Sequence, residues 1–201
     1  ADFSVDIQNH LTYVDEETAK EMYGDLFDIY FSKMKQACQA ISGQLILYEN
    51  QPILAAYHAI SMGYTESSEN VWEQPLPYLT PQESFGDRLA AGYTSSENYS
   101  YNAFGTEWIQ VLSRSDSGTV LQAKVSNLTL TGREIRELLS LRSANFEITF
   151  SGQNVLFTVY GYGHSVGLSQ NGADFMARQG KTYVEILEHY YSPATVQTLP
   201  E

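Results

Sequence analysis

A glycine-rich segment, residues 161–173, constrains the fold of this chain more than any other part of the sequence. It reads Gly-Tyr-Gly-His-Ser-Val-Gly-Leu-Ser-Gln-Asn-Gly-Ala, so four glycines surround His164 and Gln170. Glycine suits backbone that has a positive φ or approaches another group closely. The segment follows a strand-like run (155–160) and precedes a helix-like run (174–178), so we predict a bent loop that presents polar side chains to a ligand. A tight turn with a hydrogen-bonded surface histidine is the alternative.

The remaining pattern predicts an α+β fold of mainly antiparallel strands and hairpins, with about four helices. Asp15, Thr131 and Thr182 precede runs typical of helix starts, and the last two form capping-box sequences. No repeat or clean linker divides the sequence, so we treat residues 1–201 as one domain. Apolar alternation and turn residues predict strands over residues 44–48, 53–58, 108–114, 120–125, 146–150 and 155–160.

Two long stretches carry contrasting patterns. Residues 61–106 are rich in Ser, Asn, Gly, Tyr and Pro with little periodicity, which predicts a long irregular loop. Residues 16–41 instead follow a helical period that Gly24 divides. Cys38 falls on the apolar side of that helix, so we expect it to be buried as a small hydrophobic residue.

The composition narrows the classes of partner. With 24 acidic and 11 basic residues the net charge is −13, which disfavours nucleic acid and anionic membrane surfaces. An uncharged sugar backbone is easier to accept, and 15 tyrosines, 9 phenylalanines and 2 tryptophans supply aromatic faces that suit sugar C–H groups. No apolar run approaches the ~18 residues that a membrane-spanning helix needs. We therefore expect any export signal or membrane anchor of the full-length protein to lie outside this chain.

Five stretches, one of them the glycine-rich segment, follow one another between about Gly43 and Tyr191. The other four are Tyr-His-Ala-Ile-Ser-Met-Gly-Tyr-Thr-Glu at 57–66, Trp72 with Leu-Pro-Tyr-Leu at 76–79, Arg-Glu-Leu-Leu-Ser-Leu-Arg-Ser at 136–143, and Ile-Leu-Glu-His-Tyr-Tyr at 186–191. In this order they resemble the stage II sporulation protein D family, bacterial enzymes of peptidoglycan remodelling.

The resemblance implies a substrate groove that holds sugar units through two loop segments. The chain departs from the family pattern at Ala59 and Ile60, which stand where hydroxyl residues are usual, and at Ser165, which replaces a glycine. Judged without the family, His58 also fits a partly buried histidine, and Ser169 also fits the N-cap of the helix that follows. The substrate-binding candidates are His58, Ser61, Thr65, Glu66, His164, Ser169 and Gln170.

The resemblance also implies a lytic transglycosylase, whose catalytic acid this sequence does not show. Such an enzyme protonates the glycosidic oxygen and then helps the sugar's own 6-hydroxyl close a 1,6-anhydro ring, and one carboxyl group with a raised pKa serves both steps. The family carries this glutamate in a Glu-Met-Pro-like segment that is not found here. The catalytic residue is therefore unknown, and we expect the domain to lack the family's N-terminal catalytic segment. Glu66 and Glu69 are interpreted as solvated surface carboxylates.

Two hypotheses of function remain open. The first is part of a lytic transglycosylase that acts on peptide-stripped glycan strands during engulfment in sporulation. The alternative is a non-catalytic glycan- or partner-binding module, such as an amidase enhancer or a sporulation scaffold. Under both hypotheses we expect peptidoglycan glycan strands as partners. Other sporulation cell-wall proteins are further candidate partners. We also expect an extracytoplasmic location, with the full-length protein anchored to the membrane.

A metal site is not expected from these residues. Some members of the family hold zinc through a Cys and a His early in this region. His10 matches that His, but Val5 or Asp6 stands at the Cys position, and two ligands do not make a site. We expect no cofactor, and whether His10 binds zinc stays open.

Overall fold

The structure, a computed structural model, describes residues 13–72, 74–100 and 108–199. Internal contacts divide the chain into two compact units, residues 1–44 with 199–201 and residues 45–198. The assignment of the chain to one domain stays a prediction. His10, the candidate zinc ligand, lies outside the described residues.

The first unit contains two helices, α1 (Glu16–Tyr23) and α2 (Phe27–Ala40), joined by a 3₁₀ turn at Gly24–Leu26. The Asp15 carboxylate caps α1 by accepting a hydrogen bond from the backbone N–H of Thr18 at 2.8 Å, as predicted. The prediction for Cys38 was wrong, because Cys38 is exposed. The physical reason is that α2 buries only Phe27, at its first turn, and leaves the rest of its apolar side open.

The second unit begins with three short strands, β1 (Gln44–Tyr48), β2 (Gln51–Pro52) and β3 (Tyr57–His58). β1 and β2 form an antiparallel hairpin, but its second strand is Gln51–Pro52, which precedes the predicted strand over 53–58. The predicted strand over 53–58 is wrong as one continuous element. Its last two residues leave the hairpin and pair in parallel with a strand inside the glycine-rich segment.

The strands that follow build two antiparallel three-stranded sheets, with the orders β4-β9-β8 and β5-β6-β7. Their apolar faces form one core cluster around Phe146, Phe157 and Val120. Two short strands, β10 (Leu168–Ser169) and β11 (Thr195–Thr198), complete the described set. The bounds in the two sheets are β4 Thr94–Ser100, β5 Ile109–Arg114, β6 Val120–Val125, β7 Leu128–Leu130, β8 Phe146–Ser151 and β9 Asn154–Tyr160.

Four further α-helices lie in the second unit, and the two predicted capping boxes start two of them. They are α3 (Glu69–Trp72), α4 (Gly132–Leu138), α5 (Gln170–Arg178) and α6 (Tyr183–Tyr190). Thr131 and Thr182 cap α4 and α6, and each exchanges hydrogen bonds with a glutamate at the third helical position. Helices and antiparallel strands together confirm the α+β class.

The prediction of an irregular stretch from 61 to 106 is wrong at its end, because β4 lies within it. β4 reads Thr-Ser-Ser-Glu-Asn-Tyr-Ser and exposes most of its side chains, so no apolar alternation marks it. It pairs with β9 over all seven residues, and backbone hydrogen bonds hold it in place. Where the structure describes the rest of this stretch, it contains only α3, a 3₁₀ turn at Phe85–Leu89 and isolated bridges.

Candidate functional site

The parallel pairing of β3 with β10 brings the two segments that carry the candidate histidines together. His58 lies opposite Ser169 in this register. Gly163 has a φ of 115°, and a Cβ built on it would lie 2.8 Å from the Cβ of His58. A side chain at position 163 would therefore push the loop away from His58. Ser165 holds a φ of 64°, which agrees with the glycine that the family pattern has at this position.

His58 is a buried, neutral histidine with one unused nitrogen. Its side chain is 4% exposed. Its Nδ1–H donates to the carbonyl of Val166 at 3.2 Å, so Nε2 carries the lone pair, and Nε2 has no hydrogen-bond partner among the described residues. Burial, followed by the neighbouring imidazole of His164, lowers the pKa of His58 to about 4. His58 therefore stays uncharged at neutral pH.

His164 lies next to His58 and is also held in its neutral form. The two ring centroids are 5.9 Å apart, and the ring of Trp72 lies 5.1 Å from His164 on another side. The backbone N–H of Val166 donates to Nδ1 of His164 at 3.1 Å, which places the proton of the neutral ring on Nε2. Burial and then the charge of Arg136 lower the pKa of His164, against an opposing hydrogen bond with the backbone of Tyr57.

A groove of about 570 Å³ opens at His164. Trp72 and Asn70 form part of one wall, and α4 contributes Arg133 and Arg136. His58 does not line this groove, so the two imidazoles are neighbours but only His164 is presented to a ligand. The full lining is Asn70, Val71, Trp72, Thr119, Val120, Leu121, Thr131, Arg133, Glu134, Arg136, Glu137, Ala144, Asn145, Gly163, His164 and Ser165.

A close contact between α4 and β6 sets the position of the arginines. A Cβ on Gly132 would lie 2.1 Å from the carbonyl oxygen of Val120, so only glycine lets the helix pack this tightly. Nε of Arg136 donates to the carbonyl of Leu141 at 3.3 Å. Burial lowers the pKa of Arg136, with the charge of Glu137 acting in the opposite direction.

Glu66 is fully buried, so its interpretation as a solvated surface carboxylate is wrong. Its Oε1 accepts hydrogen bonds from the backbone N–H of Ser67 and the side chain of Asn70, both at 2.8 Å. Its Oε2 accepts from the hydroxyl of Ser115 at 2.5 Å. These donors replace water, which explains how the carboxylate is tolerated inside. Glu66 thus anchors Asn70, a residue of the groove wall.

The three predicted hydroxyl residues are also buried and bonded inside the protein. Sequence reasoning did not single out Asp87, whose carboxylate accepts from the N–H of Ser61 at 2.8 Å and from its hydroxyl at 2.5 Å. The same carboxylate accepts from the hydroxyl of Ser169 at 2.6 Å. Ser169 is the N-cap of α5, the alternative left open from its sequence. Thr65 accepts from the N–H of Gln82 at 2.8 Å.

Of the seven candidates, the structure places His164 in the groove and the others behind or beside it. Gln170 is exposed at the first turn of α5 and does not line the groove. Direct sugar contact by His58, Ser61, Thr65, Glu66, Ser169 and Gln170 stays a prediction. Sequence reasoning missed Arg136 as a groove residue, although a helical projection from the Thr131 capping box offers a signal for it.

Two further features bear on the site. A second cleft of about 520 Å³ lies between β5 and β8, and no imidazole lines it, so we assign the site to the His164 groove. In the part of the chain that the structure describes, His, Cys, Asp and Glu side chains form no group of three or more that is suited to a metal ion.

Comparison with known proteins relates the chain to a defined family. No family model matches. Over 196 residues, 92% of this chain and 57% of the relatives' length, the chain is 34% identical to stage II sporulation protein D of Bacillus amyloliquefaciens and 33% identical to that of Bacillus subtilis (strain 168). A more distant relative, 23% identical over 92% of this chain and 35% of its own length, is the amidase enhancer of Bacillus subtilis (strain 168). The chain spans little more than half of the sporulation relatives it matches, and over that span it is similar to stage II sporulation protein D.

Proposed function

We propose that this chain forms part of a peptidoglycan-remodelling lytic transglycosylase that acts on peptide-stripped glycan strands during engulfment in sporulation. The names of its relatives support a role in sporulation and in the cell wall. The observation that carries the proposal is the groove, where a neutral imidazole and an indole ring lie 5.1 Å apart in a chain of net charge −13.

The chemistry of the groove suits a sugar chain. The Trp72 ring offers an apolar face to sugar C–H groups. Because Nδ1 of His164 accepts from Val166, Nε2–H is the one donor of the ring; it faces the backbone of Tyr57, and in this proposal it is shared with a sugar hydroxyl or acetamido oxygen. Neutral polar groups beside an aromatic ring are the usual contents of a binding site that orients the uncharged part of a ligand, here the sugar rings.

In this proposal the general acid lies outside the 201 residues. Among the residues that the structure describes, two carboxylates line the groove, and both are engaged. Glu134 accepts hydrogen bonds from Thr131 in the capping box, and Glu137 pairs with Arg133 at 3.0 Å. Neither lies unpaired in apolar surroundings, as a general acid does.

The same observation favours a second candidate, a non-catalytic glycan-binding or partner-binding module. In that case the groove grips glycan and another sporulation cell-wall protein performs the cleavage. The relationship to an amidase enhancer, a name that implies assistance to another enzyme, supports this candidate.

Both candidates place the protein outside the cytoplasmic membrane, where peptidoglycan lies, and we propose that the full-length protein is anchored there by a segment beyond this chain. Within the described residues, none of the helices is long and apolar enough to cross a bilayer.

Binding of a peptide-stripped glycan tetrasaccharide to this chain, measured by isothermal titration calorimetry, tests the shared part of the proposal. The variant His164→Asn retains an acceptor for the Val166 N–H but loses the Nε2–H donor, so we expect at least a fivefold weaker affinity. His189→Asn is the matched control, because His189 is bonded to the carbonyl of Glu83 away from the groove. Equal affinities for the wild type and His164→Asn would contradict the site.

Release of 1,6-anhydro ends by the full-length protein separates the two candidates. The enzyme predicts such ends and a loss of turnover with His164→Asn. A protein that binds the stripped glycan without producing them is the binding module.

A further inference from the structure

Arg136 is a cation that lines the groove and has no part in the sugar contacts proposed for Trp72 and His164. Of the two arginines that α4 gives to the groove, Arg133 is paired with Glu137, with Nε and Oε1 3.0 Å apart. Arg136 forms no ion pair with any residue that the structure describes, and its one hydrogen bond goes from Nε to the carbonyl of Leu141. Its two terminal nitrogen groups therefore retain their donors for a ligand.

The surroundings of Arg136 indicate that its guanidinium is available to bind an anionic group of a ligand. The side chain is half-buried, the charge of Glu137 acts on it without forming a direct ion pair, and burying a cation without a paired anion costs free energy. In a chain of 24 acidic and 11 basic residues an ion pair is easily supplied, yet the described carboxylates nearest to it in sequence, Glu134 and Glu137, are engaged elsewhere. An arginine fixed through Nε and open at its two terminal nitrogens has the fork geometry that binds a carboxylate in a bidentate manner.

We propose that Arg136 is a specificity-determining residue of the groove and binds the lactyl carboxylate of a peptide-stripped muramic acid unit. This inference rests on the proposed function. A glycan strand of alternating N-acetylglucosamine and N-acetylmuramic acid carries one anionic group per disaccharide once its peptides are removed, namely the carboxylate of the lactyl ether. While a peptide is attached, the same carboxyl group is an uncharged amide. Arg136 therefore distinguishes stripped strands from both peptide-bearing strands and neutral chitin-type glycans.

The position of Arg136 relative to His164 supports one shared ligand. Both residues line the groove, and Arg136 is close enough to His164 for its charge to depress the pKa of that imidazole. A neutral His164 donor can then contact the sugar ring while the guanidinium contacts its acidic substituent. Beyond Arg136, the guanidinium of Arg142 stacks on the exposed ring of Tyr162 at 4.4 Å from the ring centre.

Calorimetric titration of this chain with three tetrasaccharides of equal length tests the inference. They are the peptide-stripped muramic acid glycan, the same glycan with its peptides attached, and chitotetraose. We expect the wild-type chain to bind the stripped glycan at least tenfold more tightly than either of the others, a difference of 1.4 kcal/mol. We expect this preference to decrease with added salt, because a charge pair carries it.

Two substitutions locate the preference. Arg136→Met removes the charge and keeps much of the side-chain length, so the affinity for the stripped glycan should fall to that for chitotetraose, while the affinity for chitotetraose stays unchanged. Arg136→Lys should retain part of the preference, since it keeps the charge but loses the fork. Arg178→Met is the control, because Arg178 is an exposed arginine of α5 that pairs with Asp174 and does not line the groove, and this variant should keep the full preference.

The outcomes distinguish a failure of this inference from a failure of the proposed function. If the wild-type chain binds none of the three glycans, the proposed function fails and takes the inference with it. Equal binding of stripped glycan and chitotetraose leaves the function standing and overturns the role of Arg136. Equal binding of stripped and peptide-bearing glycans overturns the lactyl group as the source of the carboxylate. A loss in Arg136→Met that is equally large for chitotetraose shows a structural role and also overturns the inference.

Discussion

Two polar regions of the second unit differ in how their charges are satisfied. The buried region contains the carboxylates of Glu66 and Asp87, and each accepts three hydrogen bonds from neighbouring donors. The groove contains Arg136 without an ion-pair partner among the described residues and a neutral His164 whose one donor, Nε2–H, has only the backbone of Tyr57 beside it. The contrast indicates that the buried carboxylates hold the loops in place, while the groove keeps unsatisfied groups for a ligand.

The largest expected effect is on the buried side of this comparison. Asp87→Ala leaves the N–H and hydroxyl of Ser61 and the hydroxyl of Ser169 without their acceptor, so we expect the free energy of unfolding to fall by about 4 kcal/mol. Denaturant titration measures this loss. Asp174→Ala is the control, because that carboxylate pairs with Arg178 on the surface. If the Asp87→Ala protein were as stable as the control, Asp87 would not be needed to hold the loops in place.

His58 predicts an acid-dependent loss of stability. Its pKa is about 4 in the folded chain against 6.5 for an unperturbed histidine, so the unfolded chain takes up the proton first. The stability from the neutral ring is complete above pH 6.5 and is lost as the pH falls towards 4, by about 3 kcal/mol.

Unfolding free energies between pH 7 and pH 4 test this prediction by comparison with His58→Gln. The variant has no titrating group at this position, so its stability should fall less over the same pH range. If the unfolding free energies of the two proteins changed in parallel with pH, protonation of His58 would not be the cause of the acid-dependent loss of stability.

Glu66→Gln should have a smaller effect. The amide keeps one acceptor oxygen but loses the charge that strengthens the bonds from Ser67, Asn70 and Ser115, so we expect a loss of about 2 kcal/mol in the free energy of unfolding. Glu69→Gln is the matched control, since Glu69 is exposed three residues away. Similar losses in the two variants would contradict the distinction between a buried anchor and a surface carboxylate.

The smallest effect belongs to Arg133→Met, which breaks an exposed pair with Glu137 on α4. Pairs of this kind contribute little because water screens them and their side chains lose freedom on pairing. We expect thermal unfolding within experimental error of the wild type. A clear decrease in melting temperature would show that the two arginines of the groove do not differ as described.

Local sequence signals predicted the parts of the fold that depend on near neighbours. The capping boxes at Thr131 and Thr182 were confirmed because their hydrogen bonds join residues three apart. The strands on either side of Ser151–Asn154 were confirmed because alternating apolar residues fill one core. β4 was missed because its polar side chains face solvent and its pairing with β9 uses backbone atoms, which the residue pattern does not record.

The site depends on distant contacts, and the sequence alone could predict less of it. Glu66 looked like a surface residue because its partner Ser115 is 49 positions away. Only the family resemblance suggested that His58 and His164 lie near each other. Their nearness arises from the parallel pairing of β3 with β10. The burial of Ser61, Thr65 and Ser169 likewise follows from partners supplied by other loops.

The central claim is that the groove at His164 and Trp72 receives peptide-stripped glycan, and NMR of the ring N–H groups during titration with the stripped tetrasaccharide tests it most directly. We predict saturable shifts of the His164 Nε2–H and the Trp72 indole N–H, with a much smaller change at the His58 Nδ1–H, which faces the carbonyl of Val166. Saturable binding that leaves both groove resonances unmoved would contradict the account.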